Sequence, residues 1–267
     1  MTERPLPSLG QAIRDALSTG EPDAKVMAAR KVARDWRLGR LDWRFDAAMP
    51  DEPARPVSPE LLAPAQMPKR RGGSAHGRIA LWHALAHIEF VAIDLALDMV
   101  GRFGGERPHG FTDDFLSVAA DEAMHFALLA RKLVSLGSYY GALPAHGGLW
   151  EAARSTSDDV AARLAIVPMV LEARGLDVTP ATLARVRAAG DEHGARILQR
   201  ILDDEIRHVA FGTRHFEEIA RERGELPETL WQDYVKTRFS GRLKAPLNDS
   251  ARLSAGLSRS YYAAIVS

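Results

Sequence analysis

Six residues in this chain have the types and spacing to hold metal ions. Glu122 and His125 form a Glu-x-x-His pair, and Glu205 and His208 form a second. A further glutamate precedes each pair. The interval from Glu89 to Glu122 equals that from Glu172 to Glu205. Every member of the first set therefore returns at one constant offset further along the chain. On a helix, positions i and i+3 share a face, so each pair can present one carboxylate oxygen and one imidazole nitrogen in the same direction. Neither pair completes a coordination sphere, so a second helix must add a carboxylate, and Glu89 and Glu172 are spaced to do that.

The surroundings of both glutamates are apolar: Ala86, Ile88, Phe90 and Val91 flank Glu89, and Met169, Val170 and Leu171 precede Glu172. A carboxylate on the inward face of such a helix is costly unless paired or neutralised. Two divalent cations would compensate four of them. The chain has no cysteine, which leaves oxygen and nitrogen ligands. A carboxylate-rich set of this kind suits iron, with manganese as the alternative, better than tetrahedral zinc. One Glu-x-x-His alone is a common surface pattern. Two copies with matching glutamates at one offset are what point to a pair of ions and to redox chemistry with dioxygen.

Positioning these residues requires helices, and the chain reads as all-α, with almost no alternation of period two. Short helices are expected at 8–18 and 21–37, the second opened by Pro22. Residues 49–74 carry many prolines and form an extended connector or surface arm. A long helix from Ser74 to Phe103, ended by Gly104-Gly105, carries Glu89. The next opens near Thr112-Asp113-Asp114 and runs to Gly137. After a crossover, a third helix starts near Ser155–Asp158, kinks at Pro168 and stops near Arg174-Gly175. The fourth begins at Thr179-Pro180 and continues to Gly224, with a bend near Gly190 or Gly194. A helix at 227–239, a loop from Lys244 to Asn248 and a last helix at 249–264 complete the chain. The internal repeat looks like a duplicated helix pair, which gives a four-helix bundle with pseudo-twofold symmetry. The expected division is residues 1–73 as N-terminal helices and connector, 74–224 as the bundle, and 225–267 as a C-terminal helical extension.

Composition sets the outer limits. The 267 residues include 35 basic and 35 acidic side chains, a formal net charge of zero, which gives no overall attraction to nucleic acid or anionic membranes. The start, MTERPLPSLG, lacks the apolar core of a secretory signal. Apolar stretches are interrupted by His, Glu or Asp before reaching the roughly 18 residues of a membrane span. A cytoplasmic protein without a membrane partner is the expectation. No Ser-His-Asp grouping, phosphate loop or dinucleotide fingerprint competes with the metal reading.

The order helix–Glu, helix–Glu-x-x-His, repeated over about residues 75–224, resembles the ferritin-like di-iron carboxylate superfamily. Leu-Glu-Ala-Arg-Gly-Leu-Asp-Val-Thr-Pro at 171–180 and Asp-Asp-Glu-Ile-Arg-His-Val-Ala at 203–210 are similar to a bacterial branch close to di-iron hydroxylases that act on a modified tRNA nucleoside. The resemblance implies a ferritin-like bundle in which Glu89, Glu122 and His125 bind one side of the cluster and Glu172, Glu205 and His208 the other, with Glu122 and Glu205 bridging. It also implies that Asp121 holds His208 and Asp204 holds His125 from the second coordination layer; the alternative is that both aspartates are solvated. The function that follows is a dioxygen-dependent di-iron hydroxylase or oxidase of an organic substrate, a small molecule or a modified nucleoside. Electrons would come from a separate donor; a monomer or a homodimer, in place of a cage, goes with this reading. Iron handling with ferroxidase activity is the alternative, and a metal-free interaction protein is a third. The long segments before the bundle, at 1–73, and after it, at 225–267, favour an enzyme over a packed storage cage.

Other residues carry weaker signals. His83 and His87 stand at neither three nor four from Glu89, so packing or hydrogen bonding is their expected role. His146 reads as a loop residue that could line an entrance. Tyr139 and Tyr140 read as helix-end anchors, with redox activity as the alternative. Arg174 and Asp177 are expected to pair. Lys69-Arg70-Arg71 and the Arg238–Lys244 segment read as solvated charge, with phosphate contact as the alternative.

Overall fold

The computed structural model describes residues 5–63, 66–68 and 74–266. Lys69-Arg70-Arg71 and the first four positions lie outside the described residues. The described chain is mostly helical and divides into two compact units, one running through Trp150 and the other from Glu151. Each unit contains one copy of the ligand repeat.

In the first unit, α1 (Leu9–Leu17) and α2 (Pro22–Arg37) precede the long α3 (Ala75–Phe103) and α4 (His109–Ser135). Ser8 caps α1 and Ser74 caps α3, each accepting a backbone N–H with its hydroxyl. Pro22 occupies the start of α2, where its missing N–H costs nothing. Helix α3 packs along α4, with α1 set against α3 and α2 against α4. The pinning is ionic as well as apolar. Buried Asp94 of α3 receives Lys25 of α2 at 2.5 Å and Arg55 of the connector at 2.8 Å. Burial holds the Lys25 ammonium below its usual pKa, against the attraction of Asp94.

Gly104 and Gly105 follow α3 as expected, but not as left-handed caps. Gly104 has φ −60°, and a Cβ there would stand 2.7 Å from the Phe45 ring. The glycine is needed for close approach. Helix α4 starts one turn earlier than its sequence suggests. Pro108 leaves the chain extended and the helix begins at His109. Asp113, expected near the cap, instead accepts the Trp36 indole N–H at 2.7 Å. The proline-rich connector contributes a two-residue strand, β1 (Leu61–Leu62), paired in parallel with β2 (Ala145–His146). Neither strand is legible at that length.

A short helix that the sequence did not suggest, α5 (Gly148–Arg154), follows the crossover and carries the chain past Trp150 into the second unit. It is followed by α6 (Val160–Ile166), a π-helical stretch (Val167–Glu172) and α7 (Ala173–Ala188), the last three in unbroken succession. Pro168 gives the distortion expected of it, because a proline removes an N–H and crowds the preceding turn. Gly212 of α8 (Glu192–Glu222) lies against that proline, where a Cβ would be 2.4 Å from its ring. The expected stop at Arg174-Gly175 and restart at Pro180 are not found. Pro180 lies inside α7, and burial of Ala173, Leu176, Leu183 and Val186 on one face outweighs the proline's cost, about 3 kcal/mol. The break comes at Gly190, whose φ of +76° only glycine adopts readily, and Asp191 caps α8 through the Gly194 N–H. Helix α9 (Pro227–Arg238) matches its expected bounds. The last expected helix is two, α10 (Asp249–Ser254) and α11 (Arg259–Tyr262), parted by Gly256 at φ +77°.

Helix α3 with its following turn is long and apolar enough to cross a membrane by composition, contrary to the expectation that no stretch would be. Of its most apolar window, 67% is buried inside the protein, so its apolarity serves the core.

Candidate metal centre

Glu89 comes from the middle of α3, and Glu122 and His125 from adjacent turns of α4. All three are buried: Glu89 is 4% exposed, the other two 0%. His125 Nδ1 lies 3.4 Å from Glu89 Oε2 and 3.4 Å from Glu122 Oε2. The three groups each offer a ligand atom within 4.8 Å of the others. Burial, and then the charge of Glu122, push the Glu89 carboxyl up to about 8, with His125 opposing. A carboxylate pair this close in a dry site resists double ionisation without a cation.

The donor set fits a hard or borderline metal ion. Two atoms bound to one cation at about 2.1 Å stand roughly 3.0–3.4 Å apart, and the His125 separations match. Glu89 Oε2 is enclosed and accepts no hydrogen bond among the described residues, a deficit that a cation would meet. A buried group of glutamate and histidine side chains able to hold a metal ion is thus present.

In the second unit, Glu205 and His208 are both buried on α8, with His208 Nδ1 3.9 Å from Glu205 Oε2. Glu172 closes the π-helical stretch and is half-buried. Among the expected supporting aspartates, Asp121 is half-buried. Asp204 is buried and held by Arg200 at 2.6 Å and Arg207 at 3.3 Å, both from its own helix.

The weaker candidates resolve into defined roles. His87 Nε2 stands 3.1 Å from the His146 carbonyl, which can only accept, so Nε2 carries the proton. His87 Nδ1 then accepts from the Tyr140 hydroxyl at 3.0 Å. Burial keeps His87 neutral, lowering its pKa to about 4, and raises that of Tyr140. His83 Nε2 accepts the Gly141 N–H at 3.0 Å. Both histidines therefore tie α3 to the crossover, in keeping with the hydrogen-bonding role expected of them. Tyr139 is exposed. Arg174 approaches Asp177 at 3.5 Å, but the main partner of Asp177 is buried Arg252, through bonds of 2.8 and 2.7 Å. Arg238 is engaged by Asp158 at 2.9 Å. Nothing in the spacing of His83, His87 and Tyr140 advertised their network; the only hint was the i, i+4 histidine pair.

A family profile described as "Protein of unknown function (DUF455)" matches residues 18–263, spanning both copies of the ligand pattern. The chain belongs to this family. This DUF455 member is also similar to an "Uncharacterized protein" of Haemophilus influenzae, 35% identical over 261 residues, which covers 93% of this chain and 90% of the relative. No solved structure matches the chain.

Proposed function

We propose that this DUF455 protein is a dioxygen-dependent oxidoreductase with two iron ions, manganese being the alternative metal, that hydroxylates or oxidises an organic substrate. The observation that carries the reading is the buried Glu89–Glu122–His125 cluster. It gains weight from the same ligand types at the same spacing in Glu172, Glu205 and His208.

In this reading Glu89, Glu122 and His125 hold one side of a dinuclear centre within a ferritin-like bundle, and Glu172, Glu205 and His208 hold the other. The bound ions would supply electrons to dioxygen and leave positions open for it. The residues do the rest. The four carboxylates balance the charge of two divalent ions, and the two imidazoles are fixed on the same helical faces as Glu122 and Glu205. Phe90 and Phe126, which follow Glu89 and His125 and pack with ring centroids 5.1 Å apart, help keep water from the first half-site. The Glu89 carboxyl, its pKa raised by burial and Glu122, would have to release its proton to serve as a ligand. An external reductase fits a chain with no flavin or cluster motif, and a small molecule or modified nucleoside is the substrate class the resemblance suggests.

Anaerobic loading with Fe(II), followed by metal analysis, tests the reading. Two irons per chain are expected, reduced to one or none by Glu122→Ala. Fewer than about one iron in the parent, or unchanged binding in Glu122→Ala, overturns it. Substrate-dependent oxygen consumption by a monomer or dimer supports the oxidoreductase. A large hollow cage that accumulates iron would replace it with storage.

A further inference from the structure

Tyr140 stands where three structural threads meet. Its ring packs edge-on against Phe126 with centroids 5.0 Å apart, and lies 5.3 Å from Phe90. These are the residues directly after His125 and Glu89. On its other contacts it stacks with His83 at 5.6 Å and with His87 at 6.2 Å. Its hydroxyl donates to His87 Nδ1, and His87 passes the constraint to the His146 carbonyl through Nε2. His87 is two positions before Glu89 on α3. One side chain from the crossover therefore touches the neighbours of a ligand on each helix and fixes the ring orientation of a third residue beside the cluster.

We propose that Tyr140 is a positioning residue for the Glu89–Glu122–His125 cluster: its ring buttresses the Phe90–Phe126 contact between the two ligand-bearing turns, and its hydroxyl, through His87, sets the rotation of the turn that carries Glu89. This rests on the metal reading above. The physical basis is that aromatic pairs at these separations have preferred geometries, and that a metal site tolerates displacements of only about half an ångström in its ligands. The ring closes a triangle with Phe90 and Phe126, whose own centroids are 5.1 Å apart, so it backs the contact between both helices from one side. The hydroxyl acts on α3 alone. The two parts of the side chain can thus be separated by substitution.

The probe is Co(II), whose visible absorption bands report coordination number and geometry. In the parent, Co(II) binds and gives a ligand-field spectrum. Tyr140→Phe keeps the ring and is expected to preserve the stoichiometry, with a dissociation constant raised about threefold and a small band shift. Tyr140→Leu removes the ring and is expected to raise the constant at least tenfold and change the band intensities. Phe111→Leu, a buried aromatic in the first turn of α4, serves as the control: it loses stability but keeps the parent spectrum. The proposal is overturned if folded Tyr140→Leu binds Co(II) with the parent's constant and spectrum. It is equally overturned if Phe111→Leu perturbs the spectrum as much. A parent that binds no Co(II) at all removes the metal reading and this one with it, whereas a binding parent with an indifferent Tyr140→Leu removes only this one.

Discussion

Replacing Glu89 with glutamine isolates the carboxyl whose environment is least compatible with a metal-free core. Its pKa rises from 4.5 to about 8 on folding, through burial and the neighbouring Glu122 charge. Between those values the folded protein holds a proton that the unfolded chain has released, so stability falls as pH rises, at up to about 1.4 kcal/mol per pH unit. His87 works in the opposite sense. Its pKa falls from 6.5 to about 4, so between these values the unfolded chain binds the extra proton and stability rises with pH. The two slopes offset each other below about pH 6.5, and above it His87 no longer opposes that of Glu89 and its Glu122 neighbour. From there to pH 8 the metal-free parent is expected to lose stability, on the order of 1 kcal/mol. Glu89→Gln should lose most of that dependence and should show the rising limb of His87 below it. Urea unfolding in the presence of a chelator, at half-unit pH steps, measures both curves. Equal pH dependence in parent and variant between pH 6.5 and 8 would refute the reasoning. The variant should also bind metal poorly, so the change that removes the high-pH penalty removes the ligand as well.

Three further outcomes follow from packing and charge. Gly212→Ala places a methyl group 2.4 Å from the Pro168 ring and should destabilise by about 1–3 kcal/mol in thermal unfolding. Gly175→Ala on α7, with open space around it, should be neutral or stabilising by up to about 1 kcal/mol in the same assay. Arg252→Leu leaves the buried Asp177 carboxylate without its bidentate partner and should lose about 3–5 kcal/mol in denaturant unfolding. Adding Asp177→Asn to it should recover part of that loss.

The elements with strong local signals were legible in the sequence. Ser8, Pro22 and Ser74 mark helix starts that the structure keeps, and Gly137 marks the end of α4 with φ +73°. Local rules failed where tertiary burial overrode them. Pro180 suggested a helix start and is instead carried inside α7 by the apolar face around it. Asp113 looked like a capping residue and serves Trp36, far away in sequence. The candidate site was legible in its first half because Glu89, Glu122 and His125 need only helical periodicity and one inter-helix contact. The Tyr140–His87–His146 connection was not, since it depends on how a loop returns to α3 and no spacing encodes that.

Helix α3 also bears on how the chain is made. Its apolarity alone would suit the protein-conducting channel of a membrane. Glu89, Asp94 and Asp98 interrupt its middle, and an aspartate at the centre of an inserting helix costs about 2.5–3.5 kcal/mol. The same side chains that meet the candidate metal, the Lys25–Arg55 clasp and Arg102 therefore bias a nascent α3 against lipid. Helices α1 and α2, which pack on α3 and α4, leave the ribosome first. Their apolar faces are available as soon as α3 emerges, and Lys25 has been made before its partner Asp94. A helix that could be mistaken for a membrane anchor is thus synthesised after part of its own cover.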